Sequence, residues 1–184
     1  MKKMDIAKIS NAYHVRPLGE ADLPAILSLC SGNSLYYQYC PPFVTEQGII
    51  SDMKALPPKK TLSDKYYLGY FDGEKLIAVM DLIASFPDER TAYIGFFMTD
   101  VSVQNSGIGT LMIDELCSFL PTAGYTGIRL AWVKGNPQAE HFWHKNGFTE
   151  TGDLYDTNRY TLVAARRDLS AKSIALNFPL HHNE

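Results

Sequence analysis

The sequence is short of positive charge. Seventeen Lys and Arg stand against 20 Asp and Glu, for a formal net charge of −3. No basic field therefore argues for nucleic acid or an anionic membrane surface as partner. No apolar run has the length needed to span a bilayer. The two lysines of MKKMDIAKIS have no apolar core behind them, so a secretory signal is not expected. Cysteine is scarce as well. Cys30, Cys40 and Cys117 are odd in number and lack metal-ligand spacing, so reduced thiols in a cytoplasmic protein are the simplest reading.

What is present is the balance of a folded globular chain, 46% apolar and 20% charged over 184 residues. That length fits one domain with a sizeable core, taken as 1–184, with a core of 12–167 and terminal segments 1–11 and 168–184. The mildly acidic balance suits a cationic substrate such as an amine, a weak pointer by itself.

AYHVRPL (12–18) reads as a short strand, and EADLPAILSLC (20–30) as an amphipathic helix. GNSLYYQYCPPF, aromatic and proline-punctuated, reads as loop or short helix. TEQGIISDMKAL (45–56) predicts a second helix, closed by Pro57 and Pro58. KYYLGYFDG and KLIAVMDLIASF are β-rich runs around Asp72-Gly73-Glu74, a hairpin signal. TAYIGFFMT completes an antiparallel meander. From Ser106, the spacing of Ile108, Leu111, Met112, Leu116 and Phe119 fits one helical face, with Gly124 as its stop. GIRLAWVK (127–134) is an apolar strand. NPQAEHFWHKNGF is a helix with Asn136 as N-cap, Pro137 at its first position and Gly147 at its end. TNRYTLVAARR is the last predicted strand, and SAKSIALNFPLHHNE has no pattern strong enough to assign. The order gives an α/β fold with a single mixed, mostly antiparallel sheet flanked by helices.

QNSGIG, at the start of the helix from Ser106, admits two readings. Its glycines shape a turn, or they bring backbone close to an anion. Gly109 lies inside the first helical turn, where glycine costs about 1 kcal/mol relative to alanine. That loss is easier to understand if something must approach the backbone. Free N–H groups and the helix dipole at this end both favour negative charge. A dinucleotide GxGxxG fails because Met112 stands three residues beyond Gly109, and no GK[ST] follows.

What remains, Gln104-x-x-Gly107-x-Gly109, resembles the pyrophosphate loop of the GNAT (GCN5-related N-acetyltransferase) superfamily. NPQAEHFWHKNGF resembles that family's second signature, Asn-x-x-Ala-x-x-Phe-Tyr-x-x-x-Gly-Phe, and IGFFMT its pantetheine-binding strand. The resemblance runs from about Tyr66 to Thr161, and residues 12–56 fit the family's first strand and paired helices less specifically. It implies the acyl-CoA N-acyltransferase (GNAT) fold, acetyl-CoA as cosubstrate, an amine acceptor and no metal. It further implies that Phe97, Met98 and Thr99 hold the pantetheine arm and oxyanion through backbone groups. Gln104, Asn105, Ser106, Gly107, Ile108, Gly109 and Thr110 would surround the pyrophosphate. Asn136 would bond the pantetheine arm, with Phe142 and Trp143 packed beside it. A homodimer is a family-level expectation.

Two departures bear on catalysis. Trp143 stands where many relatives have a thiolate-protonating tyrosine, and an indole N–H is a very poor acid. Gly95 falls where some relatives carry a glutamate base. It supplies no base, although glycine there fits a strand bulge that would splay the sheet. Asp81, in an otherwise apolar strand, is the remaining candidate base, or else an Asp paired with a basic neighbour. Tyr93 either relays a proton or packs as a core tyrosine. His141 and His144 read as surface histidines. Tyr36, Tyr37 and Tyr39 either line an acceptor pocket or pack under a loop. Three functions follow: acetylation of a primary amine on a small molecule, acetylation of a protein N-terminus or lysine, and non-catalytic CoA binding.

Overall fold

The hairpin signal at Asp72-Gly73-Glu74 closes as expected in the computed structural model, which describes residues 3–169. Gly73 adopts a positive φ of 59° between β2 (Lys65–Asp72) and β3 (Lys75–Ile83). Such a turn favours glycine, which meets no Cβ clash in the left-handed region. β4 (Thr91–Thr99) adds to β3 and completes the antiparallel meander. β1 (His14–Pro17) lies on the other side of β2. β5 (Gly127–Val133) pairs with β4, and β7 (Thr161–Asp168) with β5. The sheet order is β1-β2-β3-β4-β5-β7-β6, and β4–β5 is the parallel pair.

That order contains a strand the sequence reading left out. β6 (Thr149–Asp156) is the edge strand outside β7, and all eight of its residues are exposed. TETGDLYD has no buried face, so no alternation marked it. The last predicted strand begins later than expected, at Thr161, because Thr157 to Tyr160 form the turn that joins β6 to β7. SAKSIALNFPLHHNE lies outside the described residues.

Helices cover both faces. α1 (Leu23–Gly32) and α3 (Glu46–Lys54) bury Ile26, Leu29, Cys30 and Ile49 against Val79 and Met98 of the sheet. The Thr45 hydroxyl caps α3 by accepting from the Gly48 N–H at 3.0 Å. α2 (Ser34–Tyr39) is the short helix allowed for in GNSLYYQYCPPF. On the opposite face, α4 (Ile108–Phe119) and α5 (Pro137–Lys145) bury Met112, Ile113, Leu116 and Trp143 against Ile94, Ile128 and Leu130. The segment before β1 joins this core too, with Met4 and Ile9 both buried. Gly124, at φ 95°, ends the short 3-10 turn that follows α4.

Two irregularities position everything that follows. Across β3 and β4, Asp81 faces Phe96 while Leu82 faces Ile94, so Gly95 is the extra residue of a bulge. On the other edge of β4, pairing with β5 runs from Thr91–Gly127 only as far as Ile94–Leu130. Beyond that point β5 stays with β7, and the sheet opens between β4 and β5.

Candidate active site

Backbone alternation determines what the opening exposes. The Asp100 N–H donates to Ile77 O at 2.8 Å, toward β3. Successive residues of a strand direct their amides to opposite sides, so those of Phe97 and Thr99 face away from β3, where β5 has diverged. A cleft of about 520 Å³ lies there, lined by β4 from Tyr93 to Thr99, by β5 from Leu130 to Val133, by the loop before α4 and by α5.

The loop at the wide end is held open by its own bonds. Asn105 and Gly107 both have positive φ, 58° and 85°. The Ser106 hydroxyl donates to Val103 O at 2.6 Å. The first helical bond of α4 runs from the Leu111 N–H to Gly107 O at 3.0 Å. The N–H groups of Ile108, Gly109 and Thr110 therefore have no acceptor within the helix and project at its positive end. A Cβ on Gly109 would stand 3.2 Å from the Phe142 ring, so bare backbone is what lets α4 and α5 close on the cleft. The Gln104 amide nitrogen turns inward, donating to Asn33 Oδ1 at 2.7 Å and to Thr99 O at 3.2 Å. Asn33 Nδ2 also reaches Thr99 O, at 3.1 Å. These bonds tie the end of β4 to α1 and to the loop. Asn33 carried no signal in the sequence beyond a Gly-Asn-Ser turn.

At the α5 end, Asn136 is buried, and its Oδ1 accepts from the Ala139 N–H at 3.1 Å, so it is the N-cap expected. Its side-chain NH₂ is not used in that cap. Phe142 stacks on Phe97 with centroids 6.0 Å apart, and Trp143 packs against both rings and Phe148. His141 lines the cleft. His144 faces elsewhere: its Nδ1 lies 3.1 Å from Phe148 O, and its Nε2 lies 3.6 Å from Glu150.

Tyr93 lines the narrow end of the cleft, whereas Asp81 sits behind Gly95 and is not among the lining residues. A Cβ built on Gly95 would lie 2.7 Å from Asp81 Oδ2, so the carboxylate fills the space a side chain at 95 would take. Its Oδ2 is paired with Lys65 Nζ at 2.7 Å, and Lys65 also donates to Ala55 O. Asp81 Oδ1 is buried and has no hydrogen-bond partner among the described residues. Burial pushes the Asp81 carboxyl above the usual carboxylate range, and Lys65 opposes that shift. Burial likewise raises the Tyr93 hydroxyl, which keeps it protonated, and its ring packs edge-to-face on Phe86. Tyr36 lines the cleft, whereas Tyr37 packs between Tyr36 and Phe43. Cys40 and Tyr160, absent from the sequence-based site, line it as well. Their polar atoms meet at 3.4 Å and join α2 to the β6–β7 turn, where Arg159 also reaches Pro41 O at 3.4 Å.

The profile of the Acetyltransferase (GNAT) family matches residues 33–148, which contain both glycine loop and second signature. The chain belongs to the GNAT acetyltransferase family. Solved structures share its fold at low identity. An acetyltransferase from Thermus thermophilus superposes with a TM-score of 0.68 at 16% identity, covering 85% of this chain and 97% of that one. The spermidine N-acetyltransferase of Vibrio cholerae, in complex with CoA and spermine, gives 0.64 at 19%, covering 91% of this chain and 100% of its own. The ribosomal-protein-S18-alanine N-acetyltransferase of Escherichia coli gives 0.62 at 17%, with 90% and 99% coverage. The fold is thus shared by GNAT enzymes named for small-molecule and for protein acceptors. No curated protein matches the sequence. Among the described residues, no helix is long and apolar enough to cross a membrane.

Proposed function

We propose that this GNAT enzyme transfers the acetyl group of acetyl-CoA to a primary amine of a small molecule by direct attack on the thioester. The observation that carries this reading is the opening of the sheet beyond Ile94, which leads from the free N–H groups before α4 to the carboxylate behind Gly95. The residues present fit the cosubstrate. Outward amides of Phe97 and Thr99 suit the pantetheine arm, with the Asn136 side-chain NH₂ beside it. Backbone of Asn105 to Thr110 suits the pyrophosphate, positioned by Gln104. Phe142 and Trp143 form the apolar wall.

In the reaction the amine nitrogen forms a bond to the thioester carbonyl carbon, and the π electrons move onto oxygen. Backbone N–H groups of the open β4 edge, between Phe97 and Thr99, stabilise that oxygen. Collapse breaks the C–S bond and releases the thiolate. Asp81, whose Oδ1 has no partner among the described residues, accepts the proton of the ammonium directly or through a water held by Tyr93. Trp143 is too weak an acid to protonate the thiolate, which takes its proton from solvent. The contact between Cys40 and Tyr160 bridges α2 and the β6–β7 turn beside the cleft. A bridge there favours a small acceptor over the open groove a protein chain would need.

The test measures thiol release from acetyl-CoA with amines, polyamines and peptides, alongside melting temperature with and without acetyl-CoA. We expect thiol release with small amines and a higher Tm with acetyl-CoA. Gly107→Val, which forces a side chain into the left-handed region, should remove the Tm rise. Turnover with peptides alone would replace the small-molecule reading by the protein one, and a Tm rise without turnover would leave CoA binding only.

A further inference from the structure

The end of the cleft beside Gly95 is aromatic, and the acid nearest to it, Asp81, stands behind the lining. Its wall on the α1 side is made by Tyr36, Cys40, Tyr93, Phe96 and Tyr160. Tyr36 packs edge-to-face on Phe96 with centroids 5.8 Å apart, and Cys40 joins it to Tyr160 through the 3.4 Å contact. No Asp or Glu occurs among the described residues that line the cleft. Lys145, the lysine that lines it among the described residues, belongs to α5 beside the proposed cosubstrate site. Asp81, behind Gly95, is already paired with Lys65.

These facts discriminate between amines. On the acetyl-transfer reading an acceptor brings one amino group to the cleft beside Gly95, and Asp81 behind it takes a proton directly or through water. A second ammonium on the same molecule would enter a wall of rings, a thiol and hydroxyls with no carboxylate to receive it, and burying an unpaired charge is strongly unfavourable. Aromatic carbon suits the same wall, since edge-to-face ring contacts add to simple apolar burial.

We infer that the acceptor is a monoamine carried on an aromatic body, an arylalkylamine, and that Tyr36, Cys40 and Tyr160 select it against diamines and polyamines. This rests on the acetyl-transfer reading above. The experiment compares kcat/KM for phenethylamine and tyramine with putrescine and spermidine, and with a short peptide. The expected result is at least a tenfold preference for the arylalkylamines. Cys40→Asp should then reverse selectivity, raising kcat/KM for putrescine relative to phenethylamine tenfold or more, by giving the second ammonium a partner. Equal or better turnover of putrescine or spermidine by the unmodified protein overturns the acceptor class and leaves acetyl transfer standing. So does turnover of the peptide alone. An unchanged ratio in a folded Cys40→Asp enzyme overturns the role of the wall. If no amine or peptide releases thiol, acetyl transfer itself fails and the acceptor class falls with it.

Discussion

A methyl group at position 95 would meet the carboxylate of the neighbouring strand at 2.7 Å. Gly95 and Asp81 therefore form one arrangement across two strands: the strand facing the cleft has no side chain at 95, and the carboxylate of the next strand fills that space. Gly95→Ala should displace that carboxylate. We expect a kcat loss of tenfold or more while acetyl-CoA still raises Tm, since the loop before α4 is untouched. Asp81→Asn should lose the same activity at every pH. The wild-type profile has a direction too. A base works unprotonated, so activity falls as pH drops through the Asp81 pKa, which burial places above the ordinary carboxylate range. Lys65 lowers that pKa, whereas Asp52 raises it. Lys65→Met should move the acid limb to higher pH for the same amine; a shift to lower pH would remove Lys65 from this role. Position 81 was legible as odd in the sequence, a charge within apolar neighbours. Its partner was not, because Lys65 reaches it only after the bulge at Tyr70 and Phe71 shifts the β2–β3 register.

Among the elements, those with a buried face were readable and those without were not. The run from Ile108 to Phe119 repeats at helical spacing and forms α4. β6 has no buried residue and pairs with β7 around an irregularity between Glu150 and Leu154, so its polar sequence looked like loop. Yet the turn from β6 to β7 delivers Tyr160 to the cleft, which is why that residue was missed. Asn136 works at this scale as well, capping α5 and facing the cleft. Asn136→Ala should cost about 1 kcal/mol of stability in chemical denaturation. It should also raise KM for acetyl-CoA, whereas a purely structural cap would leave KM unchanged.

At the scale of the molecule, the sheet separates two apolar layers, and the segment before β1 completes one of them. Ile9 is 1% exposed, and the Ser10 hydroxyl donates to Glu115 of α4 at 2.5 Å. The terminal segment 1–11 thus belongs to the core through its described part. Ile9→Ala should destabilise the fold by about 2–5 kcal/mol, read as a lower denaturation midpoint with the slope unchanged. The sequence by itself determined the family, the glycine loop and the second signature. Those features are local, depending on backbone conformation and on residue spacing within one strand, loop or helix. Only the tertiary structure decided that the Asp81 carboxylate occupies the space beside Gly95 and that Tyr36, Cys40 and Tyr160 come together at the cleft. Both depend on register across strands and on a turn meeting a helix about 120 residues away, and spacing along the chain encodes neither.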